Sequence, residues 1–518
     1  MPRVRFSVII AIMYEEHVVF DCGETGDSIH PFWRKLTTAG RAAEGLRAAW
    51  RDQLRMLQAE IGYEYIRFHG LLHDDMMVYQ EDPSGNPSAN WHYVDDLFDF
   101  LQSVGLKPFV ELGFMPQKLA SGDATTFWWR GNITPPKDYD RWAWLVRSLV
   151  VHCIERYGLN EVRTWYWEVW NEPNFLDSFW TAGQREYFML YEASARAIKN
   201  VDARLKVGGP ATTNFEKGEA PWIKDFLAHC AQKALPVDFI TTHPYPNDWP
   251  VGADGKQKIV YRDPGATAKD LAWLRQTVAS SSFPDAEIHL TEWNCSALLG
   301  DFLLDTAFMA PFVIKNNVES LGLVDSLGFW TFTDIFEEKQ VPGAPFHGGF
   351  GLINLQGLTK PSYNGYWFLS KLGTCIIAQG ERHIVTMSDD GAIQVLLWNY
   401  CHFGSRIASG DRSELSFHDR YGVFEPGEDI LFQLRGARMD RAYRVLEYTC
   451  DREHGSVFDA WLGNGAPMHL LPSDIQALRN AMRPSLRTYE VRPNPSYTGN
   501  LRLRPHGASL IVFRPGWE

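Results

Sequence analysis

From about residue 30 to residue 335, short apolar runs alternate with segments of helical period. The runs are EYIRFHG (64–70), KPFVELG (107–113), TWYWEVWN (164–171), KVGGPA (206–211), FITTHPY (239–245), EIHLTE (287–292) and SLGFWTFT (326–333). Between them Val94, Leu97, Phe98 and Leu101 share one helical face, as do Tyr187, Leu190, Tyr191, Ala195 and Ile198. Strand followed by helix, repeated, predicts a parallel sheet, because each parallel return needs a crossover that also covers the sheet. PFWRKL (31–36), ahead of a long helical stretch over 40–61, is expected to be a further strand and to close a (β/α)8 TIM barrel. An open doubly wound sheet is the alternative, but no GxGxxG or P-loop pattern follows any of the strands, so the usual cofactor site of such a sheet is missing.

Past residue 360 the pattern changes. AIQVLLWNY (392–400), YRVLEYTC (443–450), RTYEVRP (487–493) and SLIVFRP (509–515) are separated by Gly, Pro, Asp and Asn clusters, with one short helix capped at Ser473 or Asp474. This predicts a C-terminal β-sandwich over 360–518 after a catalytic barrel over 31–359, with 1–30 adding an N-terminal strand to the sandwich. Arg3 and Arg5 precede an apolar stretch that mimics a signal peptide, but it is short, runs into Tyr14, Glu15 and Glu16, and has no small-x-small cleavage site. VRFSVIIAI (4–12) is therefore read as a strand, or as an over-extended start ahead of Met13. The expected compartment is the cytoplasm, with the periplasm as the alternative.

Composition narrows the classes. At 518 residues, 45% hydrophobic and 22% charged, the chain is globular in type. Its 63 acidic and 50 basic residues leave a formal charge of −13, which disfavours nucleic acid or an anionic membrane as partner. No apolar stretch reaches the length of a membrane span. Seven scattered cysteines with no CxxC indicate neither a disulfide framework nor a thiolate zinc site, and a reducing compartment is the simpler reading. The outlier is aromatic content, 14% with 20 Trp. Most of these rings are expected in the core, while Trp170, Trp293 and Trp330 fall near strand ends.

Barrels place their chemistry at the C-terminal ends of the strands. WEVWNEPN puts Glu172 at the end of the fourth strand, and IHLTEWN puts Glu292 at the end of the seventh, so the two carboxylates face each other across the mouth. A single strand-end Glu is usually solvated or salt-bridged, but a facing pair is what retaining glycoside hydrolysis needs: one protonates the leaving oxygen and the other attacks the anomeric carbon. His69 and His73 have the i, i+4 spacing of a metal pair, but they leave a strand and no third ligand is evident, so neither a metal nor a cofactor is expected.

These motifs resemble clan A glycosidases, and the chain is similar to glycoside hydrolase family 39, the β-xylosidases and α-L-iduronidases. RFHG (67–70), WNEP (170–173), THPY (242–245), TEWN (291–294) and FWTFTDIFEE (329–338) stand in family order over nearly the whole chain. The resemblance implies Glu172 as acid/base and Glu292 as nucleophile. It implies that Asn171 bonds the sugar 2-hydroxyl and the nucleophile, that His69, His243 and Tyr245 bind hydroxyls or orient Glu292, that Phe179 and Trp330 form apolar walls, and that Glu337 and Glu338 hold sugar hydroxyls.

Within the family, a uronic acid substrate demands a cation facing its carboxylate. The iduronidases carry a lysine two residues past the histidine of the sixth-strand motif; that position here is Tyr245, and Glu337 and Glu338 add negative charge, with Lys339 beside them. The expected activity is therefore a retaining β-D-xylosidase acting exo on xylobiose and short xylo-oligosaccharides. An α-L-arabinosidase or dual-specificity enzyme is the alternative, ahead of an α-L-iduronidase and of a non-catalytic carbohydrate-binding protein. The sequence assigns no oligomeric interface.

Overall fold

The computed structural model describes residues 14–24, 26–214, 221–251, 257–339 and 343–516, and the chain forms two compact units. One holds residues 31–304 and 319–357; the other holds the described residues up to 30, with 305–318 and those from 358 onward. The apolar VRFSVIIAI run lies outside the described residues.

The first unit is a closed parallel barrel. Its strands are β1 (Leu36–Arg41), β2 (Tyr65–His69), β3 (Lys107–Leu112), β4 (Tyr166–Val169), β5 (Lys206–Thr213), β6 (Phe239–His243), β7 (Glu287–Trp293) and β8 (Ser326–Phe329), each paired with the next and β8 with β1. The barrel closes as the alternation predicts, but its first strand is not PFWRKL. Phe32–Arg34 forms a single 3-10 turn behind Pro31, and the strand is LTTAGR, with all six residues buried. Burial on both faces removes the period-two signal, and the small residues Thr37, Thr38, Ala39 and Gly40 leave no apolar run to read. Thr38 Oγ1 instead donates to the Phe329 carbonyl at 2.7 Å, tying β1 to β8. The helical stretch after it likewise splits into a 3-10 turn (Ala42–Leu46) and a helix (Ala48–Glu60) that buries Trp50, Leu54 and Leu57.

Both predicted amphipathic faces are buried, on the helices His92–Ser103 and Gln184–Lys199. Inside the barrel, Leu36, Tyr65, Phe109, Tyr166 and Phe239 form an apolar layer at the N-terminal end, with the Phe109 and Tyr166 rings stacked 4.7 Å apart. Each such side chain contributes on the order of 1.5–3 kcal/mol of burial. This layer seals the base, so side chains above it reach solvent only through the mouth.

In the second unit, a three-stranded sheet (Tyr14–Asp21, Ile430–Ala437, Tyr497–Leu503) and a seven-stranded sheet running from Asp27–Ser28 to Ser485–Val491 enclose one core. Val18, Phe20, Phe432 and Leu434 of the first sheet share that core with Val395, Ile511 and Phe513 of the second, as alternating inward positions of a sandwich do. Tyr14–Asp21 pairs in parallel with Ile430–Ala437. The short helix is Pro472–Ala481; its N-cap position is Leu471, not Ser473 or Asp474, and Asp474 lies in the first turn as the capping-box residue. Pro472 takes the first position, where a missing N–H costs nothing, and Asp474 reaches back so that its Oδ2 accepts from the Leu471 N–H at 2.8 Å.

Candidate active site

Local backbone irregularities turn the reactive side chains into the mouth. Trp170 (φ 72°) and Glu172 (φ 45°) are both left-handed, a conformation that costs non-glycine residues free energy and persists only where surroundings enforce it. Here the Trp170 indole donates to the Phe179 carbonyl at 2.8 Å and the Glu172 N–H donates to the Ala211 carbonyl at 2.8 Å. Asn174 exchanges two hydrogen bonds with the Thr213 backbone, at 2.8 and 2.9 Å, pinning the loop after β4 to β5. On β7 the pairing with β8 slips between Leu290 and Trp293. A bulge of this kind re-aims side chains, and Thr291 and Glu292 both make their contacts inside the barrel.

Arg67, in the middle of β2, organises the floor of the site. Its fully buried guanidinium reaches Glu168 at 2.9 Å, Glu111 at 2.8 Å, Glu292 at 2.7 Å and the Asn171 Oδ1 at 2.7 Å. Arginine only donates, so the Asn171 carbonyl must face it and the amide NH2 must face away; that Nδ2 is buried with no hydrogen-bond partner, so Asn171 does not bond the nucleophile as expected but shares Arg67 with it. Tyr245 donates to the other oxygen of Glu292 at 3.2 Å. His69 bonds Glu111 through Nδ1 at 2.5 Å, while its Nε2 lies 3.5 Å from Glu292 and 3.6 Å from Glu338.

Glu172, His243 and Glu292 converge, one oxygen or nitrogen of each within 4.8 Å of the others. Carboxyl oxygens this close bring both groups to one substrate carbon and suit direct attack, the arrangement of a retaining enzyme. Electrostatics separates the roles. Burial, and then the charge of Glu292, push the Glu172 carboxyl well above its ordinary range, the direction that an acid/base needs. Glu292 carries the Arg67 guanidinium and the Tyr245 hydroxyl, the donors that an ionised nucleophile needs. Burial and then Arg67 hold His243 well below its ordinary value, so its imidazole is neutral.

Above these groups opens a cleft of about 780 Å³, the size of a small-ligand site. Glu172, Glu292, Phe179, Tyr245, Trp330 and Glu338 line it. Asn171, His69 and His243 lie buried beneath it, Asn171 on Arg67, His69 on Glu111 and His243 on the lining Glu172. Glu338 keeps a buried Oε1 without a hydrogen-bond partner, and burial followed by the charge of Glu292 raises its carboxyl well above the usual range. Glu337 is placed elsewhere: Arg41 Nη2 at 2.8 Å and Arg47 clamp its carboxylate, and it does not line the cleft. His69 and His73 do not converge on a metal, because His73 turns to Asp75 at 2.7 Å.

The aromatic wall differs from the strand-end reading. Trp170 and Trp293 are fully buried and outside the lining, whereas Phe127, Trp128, Phe175 and Trp249, all on loops, line it. The TTFWW run at 125–129 was the signal for two of them, an aromatic cluster in a loop with no helix or strand to bury it. Arg67 was equally visible as a lone charge inside an otherwise apolar strand, where an unpaired cation is untenable. Lys339 also lines the cleft and is the one basic residue among its described lining.

Residues 17–499 match the model of glycosyl hydrolases family 39. The chain is 42% identical over 373 residues to a β-xylosidase of Geobacillus stearothermophilus, covering 71% of this chain and 73% of that one. It is 35% identical over 517 residues to a β-xylosidase of Caldicellulosiruptor saccharolyticus, covering 96% and 98%. The crystal structure of a monomeric β-xylosidase from Caulobacter crescentus CB15 superposes with a TM-score of 0.88 at 31% identity, covering 96% of this chain and 99% of that one.

Proposed function

Because the chain belongs to glycosyl hydrolases family 39, we propose that it is a retaining β-D-xylosidase that removes xylose from the non-reducing end of xylobiose and short xylo-oligosaccharides. The observation that carries this reading is the carboxyl pair: two glutamates with oxygens within 4.8 Å, one raised by burial and by its neighbour's charge, the other paired with a guanidinium. In the first step Glu172 gives its proton to the glycosidic oxygen as that bond breaks, and the Glu292 carboxylate forms a glycosyl ester at the anomeric carbon. In the second, water attacks that carbon, its proton passes to Glu172, and the ester electron pair returns to Glu292, where Arg67 and Tyr245 receive the charge. The unpaired Asn171 Nδ2 is the donor left for a sugar hydroxyl next to the reacting carbon, a contact that strengthens as charge develops.

The substrate reading rests on charge. Glu172, Glu292 and Glu338 line the cleft against Lys339, which favours a neutral pentose over a uronate. The β-xylosidase names of the two long-matching relatives support the same sugar. Leaving-group chemistry tests the assignment. Glu172→Ala should lose about 10³-fold in kcat/KM on xylobiose but less than about tenfold on dinitrophenyl β-xyloside, whose leaving group departs without a proton. Equal losses on both would remove Glu172 from the acid role, and turnover of an aryl arabinoside or iduronide in place of the xyloside would replace the substrate.

A further inference from the structure

We propose that Thr291 and Glu168 are positioning residues for the acid/base: together they fix His243 as the Nε2–H tautomer, so that its bare Nδ1 faces Glu172 and accepts the hydrogen between them. Glu168, fully buried on β4, is met by donors: Arg67 Nε at 2.9 Å, Thr291 Oγ1 at 2.7 Å and the hydroxyl of Thr241. Thr241 already accepts from the Ala211 N–H at 3.0 Å, which leaves its own hydrogen for Glu168. Burial raises the Glu168 carboxyl, and the Arg67 charge and both hydroxyls oppose that rise; met by three donors, Glu168 enters the chain as its acceptor, the carboxylate.

Thr291 has one hydroxyl hydrogen, and it points to Glu168. Its oxygen can then only accept, and the group 3.0 Å away is His243 Nε2. A neutral imidazole carries a single N–H, so with the hydrogen on Nε2 the Nδ1 holds a lone pair. That Nδ1 lies 2.8 Å from Glu172 Oε1, and two acceptors do not approach so closely; the hydrogen belongs to Glu172. Thr291 and Glu168, neither of which lines the cleft, thus set which protonation state the acid/base adopts before substrate arrives. The same lone pair offers nothing to a Glu172 carboxylate, so once its proton has gone to the leaving group, Glu172 is a ready acceptor for the proton of the attacking water.

This inference rests on the acid/base role of Glu172. The titratable groups facing Glu172 and His243 are Glu292, Arg67, Glu111 and His69 on the strands, with Tyr245 and Glu338 on the loops. The variants that follow keep all of them.

Glu168→Gln should reverse the chain. Arg67 forces the amide oxygen to its own side, so the amide NH2 donates to Thr291, Thr291 donates to His243 Nε2, and Nδ1–H donates to Glu172, favouring its carboxylate. Thr291→Val breaks the chain, and Thr291→Ser preserves it. Two readouts apply: the alkaline limb of kcat/KM on aryl β-xyloside, and the infrared carbonyl band of protonated Glu172, identified by its loss in Glu172→Gln and titrated without substrate. Glu168→Gln and Thr291→Val should move both toward acid, losing about tenfold at the alkaline end against less than about threefold on the acid side, while Thr291→Ser follows the wild type. Equal losses at every pH with an unmoved limb and band, or a serine variant that behaves like valine, would overturn the proposal. A wild-type protein inert on every β-xyloside would sink the proposed function instead, and the infrared titration would still decide this one.

Discussion

The two ends of the barrel hold the same kind of side chain in opposite states. At the N-terminal end Glu287 meets Lys206 at 2.7 Å, Lys35 at 2.8 Å, the Tyr166 hydroxyl at 2.5 Å and His289 Nε2 at 3.2 Å. At the C-terminal end one cation, Arg67, is shared by Glu111, Glu168 and Glu292, with Glu172 and Glu338 close by. Burial raises the carboxyl at both ends. It is overcome at Glu287, where His289 and then Lys206 and Lys35 hold the group far below the usual carboxylate range. His289 itself is lowered to about 4 by burial, so near neutral pH the lysines supply the charge. At Glu172 burial is reinforced by Glu292. The ratio of cations to carboxylates separates a structural staple from a reagent.

Removing the nucleophile is the largest perturbation available to the C-terminal end. Glu292→Ala should lower kcat by about 10⁴-fold or more, and azide should restore turnover with a product of inverted configuration, since the small anion occupies the vacated face. A variant within tenfold of wild type would place the nucleophile elsewhere. Arg67→Met comes next and acts on stability as well as rate. Three buried carboxylates lose their cation, which costs roughly 3–5 kcal/mol by the measured penalty of orphaning buried charge. Urea denaturation at neutral pH checks it: a deficit below about 1 kcal/mol would show that Arg67 is not what holds the cluster together.

Periodicity and the spacing of breakers made the barrel legible, because seven of its strands are apolar runs bounded by amphipathic helices. The eighth was misplaced because LTTAGR is buried through small and polar residues, which hydropathy cannot register. At the site, Glu172 and Glu292 could be read from position alone, since a strand end in a barrel points at the mouth. Arg67, Glu168 and Thr291 could not be given roles that way: their contacts join β2, β4, β6 and β7, and only closure of the barrel brings residues 48 to 123 positions apart to within 3.0 Å. Glu337 and Glu338 are neighbours in sequence with the same side chain, yet one falls to Arg41 and Arg47 and the other to the cleft. That division depends on a single change of side-chain direction in a loop, for which sequence carries no period.

The smallest effects test the comparison most directly, because they should have opposite signs at the two ends. Glu287 is depressed in the folded state, so its contribution is fully present above the unfolded carboxylate value of about 4.3 and is lost as pH falls below that. Glu287→Gln should therefore destabilise by about 1 kcal/mol at pH 7, the scale of one net hydrogen bond on a partly exposed group, with the gap closing in acid. Glu172 is raised in the folded state, so wild type loses stability as pH climbs from about 4.3 toward the folded value. Glu172→Gln should then be more stable than wild type at pH 7 by about 1 kcal/mol, as relief of a strained catalytic group commonly is, with no difference below pH about 4. Thermal melts of both variants across this range decide the matter: two shifts of the same sign at pH 7 would mean that packing, and not the local balance of cations and carboxylates, distinguishes the two ends.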